Sequence, residues 1–111
     1  MEQLRLLEER SIPGLGAEVM PVFLRDTTAR LSALSDAITA GDSAEVHRVA
    51  HTIHGSAASI GAATMVRACS EILRHVKQQR LDECAPLLGA LVSDFESIRR
   101  AAVAHGIATP P

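Results

Sequence analysis

Three histidines, His47, His51 and His54, stand close together in the run Val46-His47-Arg48-Val49-Ala50-His51-Thr52-Ile53-His54-Gly55-Ser56-Ala57-Ala58-Ser59-Ile60-Gly61-Ala62. A free imidazole titrates near about 6.5. At neutral pH much of it is the free base, with a lone pair that can attack an electrophile or bind a metal ion. Hydrolytic chemistry would need a carboxylate to orient the ring and a hydroxyl beside it. Asp42 is two turns away, Glu45 points sideways, and Ser56 and Ser59 point away from His51. A metal ion could be shared by His47 and His51 at i, i+4 together with His54, although this face offers no carboxylate or cysteine as a further ligand. A reactive histidine, a histidine face that docks a partner without chemistry, and ordinary solvated histidines are the remaining readings.

The spacing predicts that this run is a helix. At about 100° per residue, with His51 at zero, Ala58 falls near −20°, Gly55 near +40°, His47 near −40°, His54 near −60° and Arg48 near +60°. Val46, Val49, Ile53 and Ile60 fall on the far side and form an apolar stripe. The opposite face therefore carries imidazoles, one guanidinium and two residues with almost no side chain. Glycine inside a helix costs about 0.5–1 kcal/mol relative to alanine. Gly55 and Ala58, flanking His51, would let a partner's surface lie flat over the imidazole.

The elements that must hold this helix are also helical. Val19, Val22, Phe23, Leu31, Leu34 and Ile38 recur at helical steps with one gap across Asp26-Thr27-Thr28. Pro21 either follows closely on the start of this helix or kinks it. Gly41 is placed to end it in a left-handed cap. Asp42, with Glu45 three residues on, reads as a capping-box variant that starts the histidine helix at Ser43, and Gly61 ends or interrupts it. Met65, Ala68, Cys69, Ile72, Leu73 and Val76 form the next stripe, finishing in the polar Lys77-Gln78-Gln79-Arg80. Asp82 reads as the N-cap of the last helix, with Pro86 in or after its first turn. Ala85, Leu88, Leu91, Val92, Phe95, Ile98 and Ala102 form that helix's stripe, and His105-Gly106 stop it. Leu4 and Leu7 point to a short additional N-terminal helix over residues 1–10, broken by Pro13 and Gly14. No strand alternation and no repeat is visible. The expected fold is all-α: an antiparallel up-down four-helix bundle over about 15–104, a short helix and loop over 1–14, and a loose tail over 105–111, making one domain of 1–111.

Composition agrees. The chain has 111 residues, 47% of them hydrophobic but only 2% aromatic, so Leu, Ile, Val, Ala and Met must build the core. A net charge of −2 with no Lys/Arg block leaves no electrostatic footprint for nucleic acid and no basic amphipathic helix for a membrane surface. No apolar run reaches the ~20 residues of a membrane span, and the N-terminus does not read as a signal peptide. A cytoplasmic location is the expectation. Cys69 and Cys84 lack CxxC spacing and are read as free buried thiols.

The run resembles the signature of histidine-containing phosphotransfer (HPt) domains of multistep phosphorelays. Ala50-His51, Gly55-Ser56 and Ile60-Gly61-Ala62 match it in register. Phe23-Leu24-Arg25-Asp26, Ala40-Gly41-Asp42, Cys69 and Ile72-Leu73 are similar to features elsewhere in the family. The resemblance implies a four-helix bundle in which His51, through Nε2, accepts a phosphoryl group from a receiver-domain aspartate and passes it to another receiver. It implies receiver docking and a phosphoryl environment made by His47, Arg48, His54, Gly55 and Ala58. It implies no kinase active site, no metal and no cofactor of the chain's own, Mg²⁺ being supplied by the receiver. The implied partners are response-regulator receivers and a hybrid sensor histidine kinase; a bundle with one exposed reactive histidine needs no dimer, so a monomer is expected. In one respect the chain departs: the family's lysine position is His54. An imidazole is charged only part of the time near neutral pH, so a competent but pH-sensitive acceptor is expected, with Arg48 as a substitute cation. The alternatives carried beside this reading are a metal-binding bundle using His47, His51 and His54, and a non-catalytic adaptor.

Overall fold

Four helices account for nearly all of the chain that the computed structural model describes, residues 15–106. Helix α1 spans Leu15–Ala40, α2 Ser43–Ser59, α3 Ala63–Lys77 and α4 Cys84–Ala104, with a 3₁₀ turn over Leu81–Glu83 leading into α4. Each helix packs against the next, and α4 returns to pack against α1. Links of two or three residues reverse the chain after α1 and α2, so consecutive helices run antiparallel and the bundle closes up-down-up-down. No strand occurs among the described residues. The all-α bundle expected from the helical periodicity is the fold observed. The short helix expected over residues 1–10 and the end of the tail, 107–111, lie outside the described residues.

The three connections share one turn geometry. After α1, Gly41 N–H donates to Ile38 and Asp42 N–H to Ala37, at 3.1 and 3.0 Å. After α2, Gly61 N–H donates to Ala58 and Ala62 N–H to Ala57. After α3, Gln79 N–H donates to Val76 and Arg80 N–H to His75. This paired pattern satisfies the last carbonyls of a helix and needs one residue in the left-handed region. Gly41 at φ 70° fills it as its position in the sequence implies, Gly61 fills it at φ 76°, and Gln79 fills it at φ 59° with a side chain present.

The first helix begins at Leu15, where the expected bundle starts, and Pro21 lies inside it, six residues from its first residue. It departs from the sequence reading in its buried face. Its buried stripe is Met20, Phe23, Leu24, Thr27, Leu31, Leu34 and Ala37, while Val19 and Val22 are 36% and 45% exposed. The gap across Asp26-Thr27-Thr28 is filled by Thr27, which is fully buried with its hydroxyl unpaired. A threonine in a core position breaks the apolar pattern and hides the phase of the helix from a reading that counts hydroxyls as polar. Phe23 meets Phe95 of α4 across the core at 6.1 Å between ring centroids. The last helix also differs: Asp82 lies in the 3₁₀ turn and caps nothing, and the residue before α4 is Glu83, whose side chain makes no capping bond. His75, at the edge of the α3 stripe, ties α3 to that turn. Its Nδ1 lies 2.8 Å from the Glu71 carbonyl and its Nε2 lies 3.1 Å from the Glu83 carboxylate.

Candidate functional site

Helix α2 is held from both ends and from behind. Asp42 Oδ1 accepts from the Glu45 N–H at 3.1 Å, so the N-cap forms as the sequence implies. The reciprocal half of the expected capping box does not form: the Glu45 side chain turns to Arg48, and the Asp42 N–H is already taken by Ala37. Val46, Val49, Ala50, Ile53 and Ala57 are buried in the bundle. The helix therefore cannot roll, and its other face is fixed toward solvent. On that face His47, Arg48, His51, Gly55 and Ala58 are exposed together, and His54 is half-buried on the flank.

His51 and His47 lie side by side, their rings nearly parallel at 13° and their centroids 6.1 Å apart. Among the described residues no hydrolytic arrangement surrounds them. The Ser59 hydroxyl donates to the Gly55 carbonyl at 3.1 Å and the Thr52 hydroxyl to the Arg48 carbonyl at 3.0 Å, so both are spent on the helix backbone. Among the described residues no group of three or more His, Cys, Asp and Glu side chains gathers to hold a metal ion. Gly55 sits in open space, and a Cβ built there meets nothing within 4 Å. Its lack of a side chain answers no packing need inside the chain. What it leaves is a clear approach to His51 one turn along.

The cations around His51 are unequal. Arg48 forms a two-pronged ion pair with Glu45, Nε to Oε1 at 2.7 Å and Nη2 to Oε2 at 2.8 Å. Hydrogen bonding to Arg48 holds the Glu45 carboxyl below the usual carboxylate range, and the same bonds hold Arg48 above its ordinary value. The sequence reading left Glu45 to one side and did not anticipate that it occupies the guanidinium. Arg30, on α1, was missed altogether. It reaches across to Ser56, with Nη1 3.5 Å from the Ser56 hydroxyl, and stands where two surface grooves between α1 and α2 meet. One, of about 410 Å³, is lined by Val19, Val22, Phe23, Asp26, Arg30, Ser56, Ser59 and Ile60. The other, about 150 Å³, is lined by Ala29, Arg30, Ala33, Arg48, Val49 and Thr52. No local motif marks Arg30; only the packing of α1 on α2 brings it to the flank of the histidine helix.

A closed four-helix bundle that presents histidines on one solvent-facing helix, with small residues beside them, defines a helical carrier or docking domain. The chain belongs to the Hpt domain family, whose model matches residues 18–101. It is also similar to histidine-containing phosphotransfer protein 1 of Oryza sativa subsp. japonica, at 26% identity over 100 residues that cover 88% of this chain and 68% of the relative. No solved structure matches it significantly. The protein is thus a phosphorelay histidine carrier in the general sense of its family, which carries phosphoryl groups and does not comprise kinases, and its partners belong to two-component phosphorelays. No helix of the described residues is long and apolar enough to cross a membrane.

Proposed function

We propose that His51 is the phosphoacceptor and that the chain, as a monomer, relays a phosphoryl group between two receiver domains, the first of them fed by a hybrid sensor kinase. The observation that carries this reading is the pairing of an exposed His51 with open space above Gly55. In the step proposed, the Nε2 lone pair attacks the phosphorus of an aspartyl phosphate. The bond from phosphorus to the carboxylate oxygen breaks, and aspartate leaves as the carboxylate without needing a proton. The Nδ1–H stays on the ring until solvent removes it, and a second receiver's aspartate reverses the sequence. Mg²⁺ belongs to the receiver in this scheme and shields the phosphoryl charge there. His51 is the positioned nucleophile and α2 the rigid arm that presents it. His47, Arg48, His54, Gly55 and Ala58 form the docking rim and phosphoryl environment.

The test is phosphotransfer from the host's receiver domains, phosphorylated with a radiolabelled small donor. Wild type is expected to take up label and His51→Gln to take up none; equal labelling of His51→Gln would remove His51 from the role. His54, half-buried at the position where the family pattern has lysine, carries a second expectation. Wild-type transfer should differ between mildly acidic and alkaline buffer, and His54→Lys should flatten the difference. Identical profiles for the two proteins would discard the pH-sensitive environment while leaving His51 in place.

A further inference from the structure

Docking onto a phosphoryl carrier brings negative charge toward its histidine, because the donor presents both a phosphoryl group and carboxylates. A cation that can turn to meet that charge is worth more than one already committed. Arg48 is committed, held by two short bonds to Glu45. His54 lies on the flank of α2 opposite Thr52 and Ser56. Arg30 is different. It is half-buried and makes no ion pair among the described residues. Its one polar contact among the described residues, 3.5 Å to the Ser56 hydroxyl, lies at the outer limit of a hydrogen bond. Asp26, one turn before it and lining the same groove, accepts from Arg25 instead, at 3.3 Å. The guanidinium stands where the two grooves meet, next to Thr52 and Ser56, the chain neighbours of His51 and Gly55. Beside it are the exposed valines Val19 and Val22, which the bundle leaves uncovered although they sit on a core-forming helix.

We propose that Arg30 is the docking anchor of this surface. In the complex its guanidinium leaves Ser56 and pairs with a carboxylate of the phosphoryl-bearing partner, while apolar side chains flanking that carboxylate enter the groove against Val19, Val22 and Ile60. This rests on the carrier reading above and adds to it the residue that recognises the partner and the chemistry recognised: an acidic group set among apolar ones. Arg30 acts on binding, not on the transferring phosphorus. Leaving Ser56 costs little, because a single contact at that distance holds it weakly.

Steady-state labelling by a phosphorylated receiver at several salt concentrations, with thermal unfolding of each variant, tests this. Arg30→Gln is expected to raise KM about fivefold, the scale of one partly exposed ion pair, with kcat within about twofold. It should also flatten the fall of kcat/KM with salt, because one screened attraction is gone. Arg30→Lys should recover part of the loss. Ser56→Ala should leave KM within about twofold, since the guanidinium leaves that hydroxyl at little cost. An unchanged KM in Arg30→Gln overturns the proposal. So does a loss confined to kcat, which would put the guanidinium on the phosphoryl group, or an equal rise of KM in Ser56→Ala with a matching fall in melting temperature, which would make the contact a tether between helices. Failure of the carrier reading is separate and shows as labelling that survives His51→Gln.

Discussion

Gly55 and His51 are the residues at which the chain gives up stability for access. Gly55 has helical backbone and no neighbour that a methyl group would touch. Gly55→Ala is therefore expected to stabilise the fold by about 0.5–1 kcal/mol, read as a higher urea midpoint with an unchanged slope. Gly55→Leu should fold as well, because the space is open, yet lose receiver-dependent labelling, because the added side chain stands in the approach to His51. Full labelling of Gly55→Leu would mean that the partner does not lie over this turn. The exposure of His47 and His51 was legible from the wheel, whereas His54, placed on the same face, is half-buried. The Glu45 clamp on Arg48 was not, because a side chain at i−3 can serve its own cap or the next turn and the sequence does not choose between them.

At the scale of the element, α2 is set by its ends. The Asp42 carboxylate satisfies a backbone N–H that nothing else reaches, and Gly61 turns the chain away after Ser59. Asp42→Ala should cost about 1 kcal/mol, and Asp42→Asn or Asp42→Ser should recover most of it, measured by denaturant unfolding. A loss that no side-chain acceptor recovers would show that the cap bond is not what fixes the helix start. The start of α1 at Leu15 agrees with the expected start of the bundle, while Pro21, a strong local stop signal, left open whether the helix begins close before it or kinks at it. The third turn resisted prediction because Gln79 takes a backbone conformation that glycine would advertise in a sequence and glutamine does not.

For the whole molecule, the aliphatic core sets both rigidity and the behaviour of the buried thiols. Burial pushes the Cys69 thiol from 9.0 up to about 12, and burial, with the charges of Asp82 and Glu83, raises Cys84 as well. The folded state thus keeps a proton on Cys69 where the unfolded chain would lose it. Stability from this group is fully present below about pH 9 and is lost as the pH rises from 9 toward 12, at up to about 1.4 kcal/mol per unit. Wild type should lose denaturant resistance more steeply than Cys69→Ala between pH 8 and 10.5, after allowing for the cavity that lowers the variant at every pH. Parallel curves would mean that Cys69 is more open to solvent than its zero exposure implies. The same burial predicts slow reaction of the native thiol with thiol reagents at neutral pH.

The sequence by itself determined the helices, the face of α2 that is buried, the left-handed turn at Gly41, the end of α2 near Gly61, and the histidine run that matches the family. These depend on neighbours within one or two turns, and a 3.6-residue period records such neighbours directly. Tertiary structure alone decided that Thr27 is core and Val19 and Val22 are surface, that Glu45 holds Arg48, and that Arg30 reaches the flank of α2 from 26 residues away. Those outcomes depend on how one helix is rotated against another. A rotation between helices is fixed by the packing of the whole core and leaves no periodic trace in either segment.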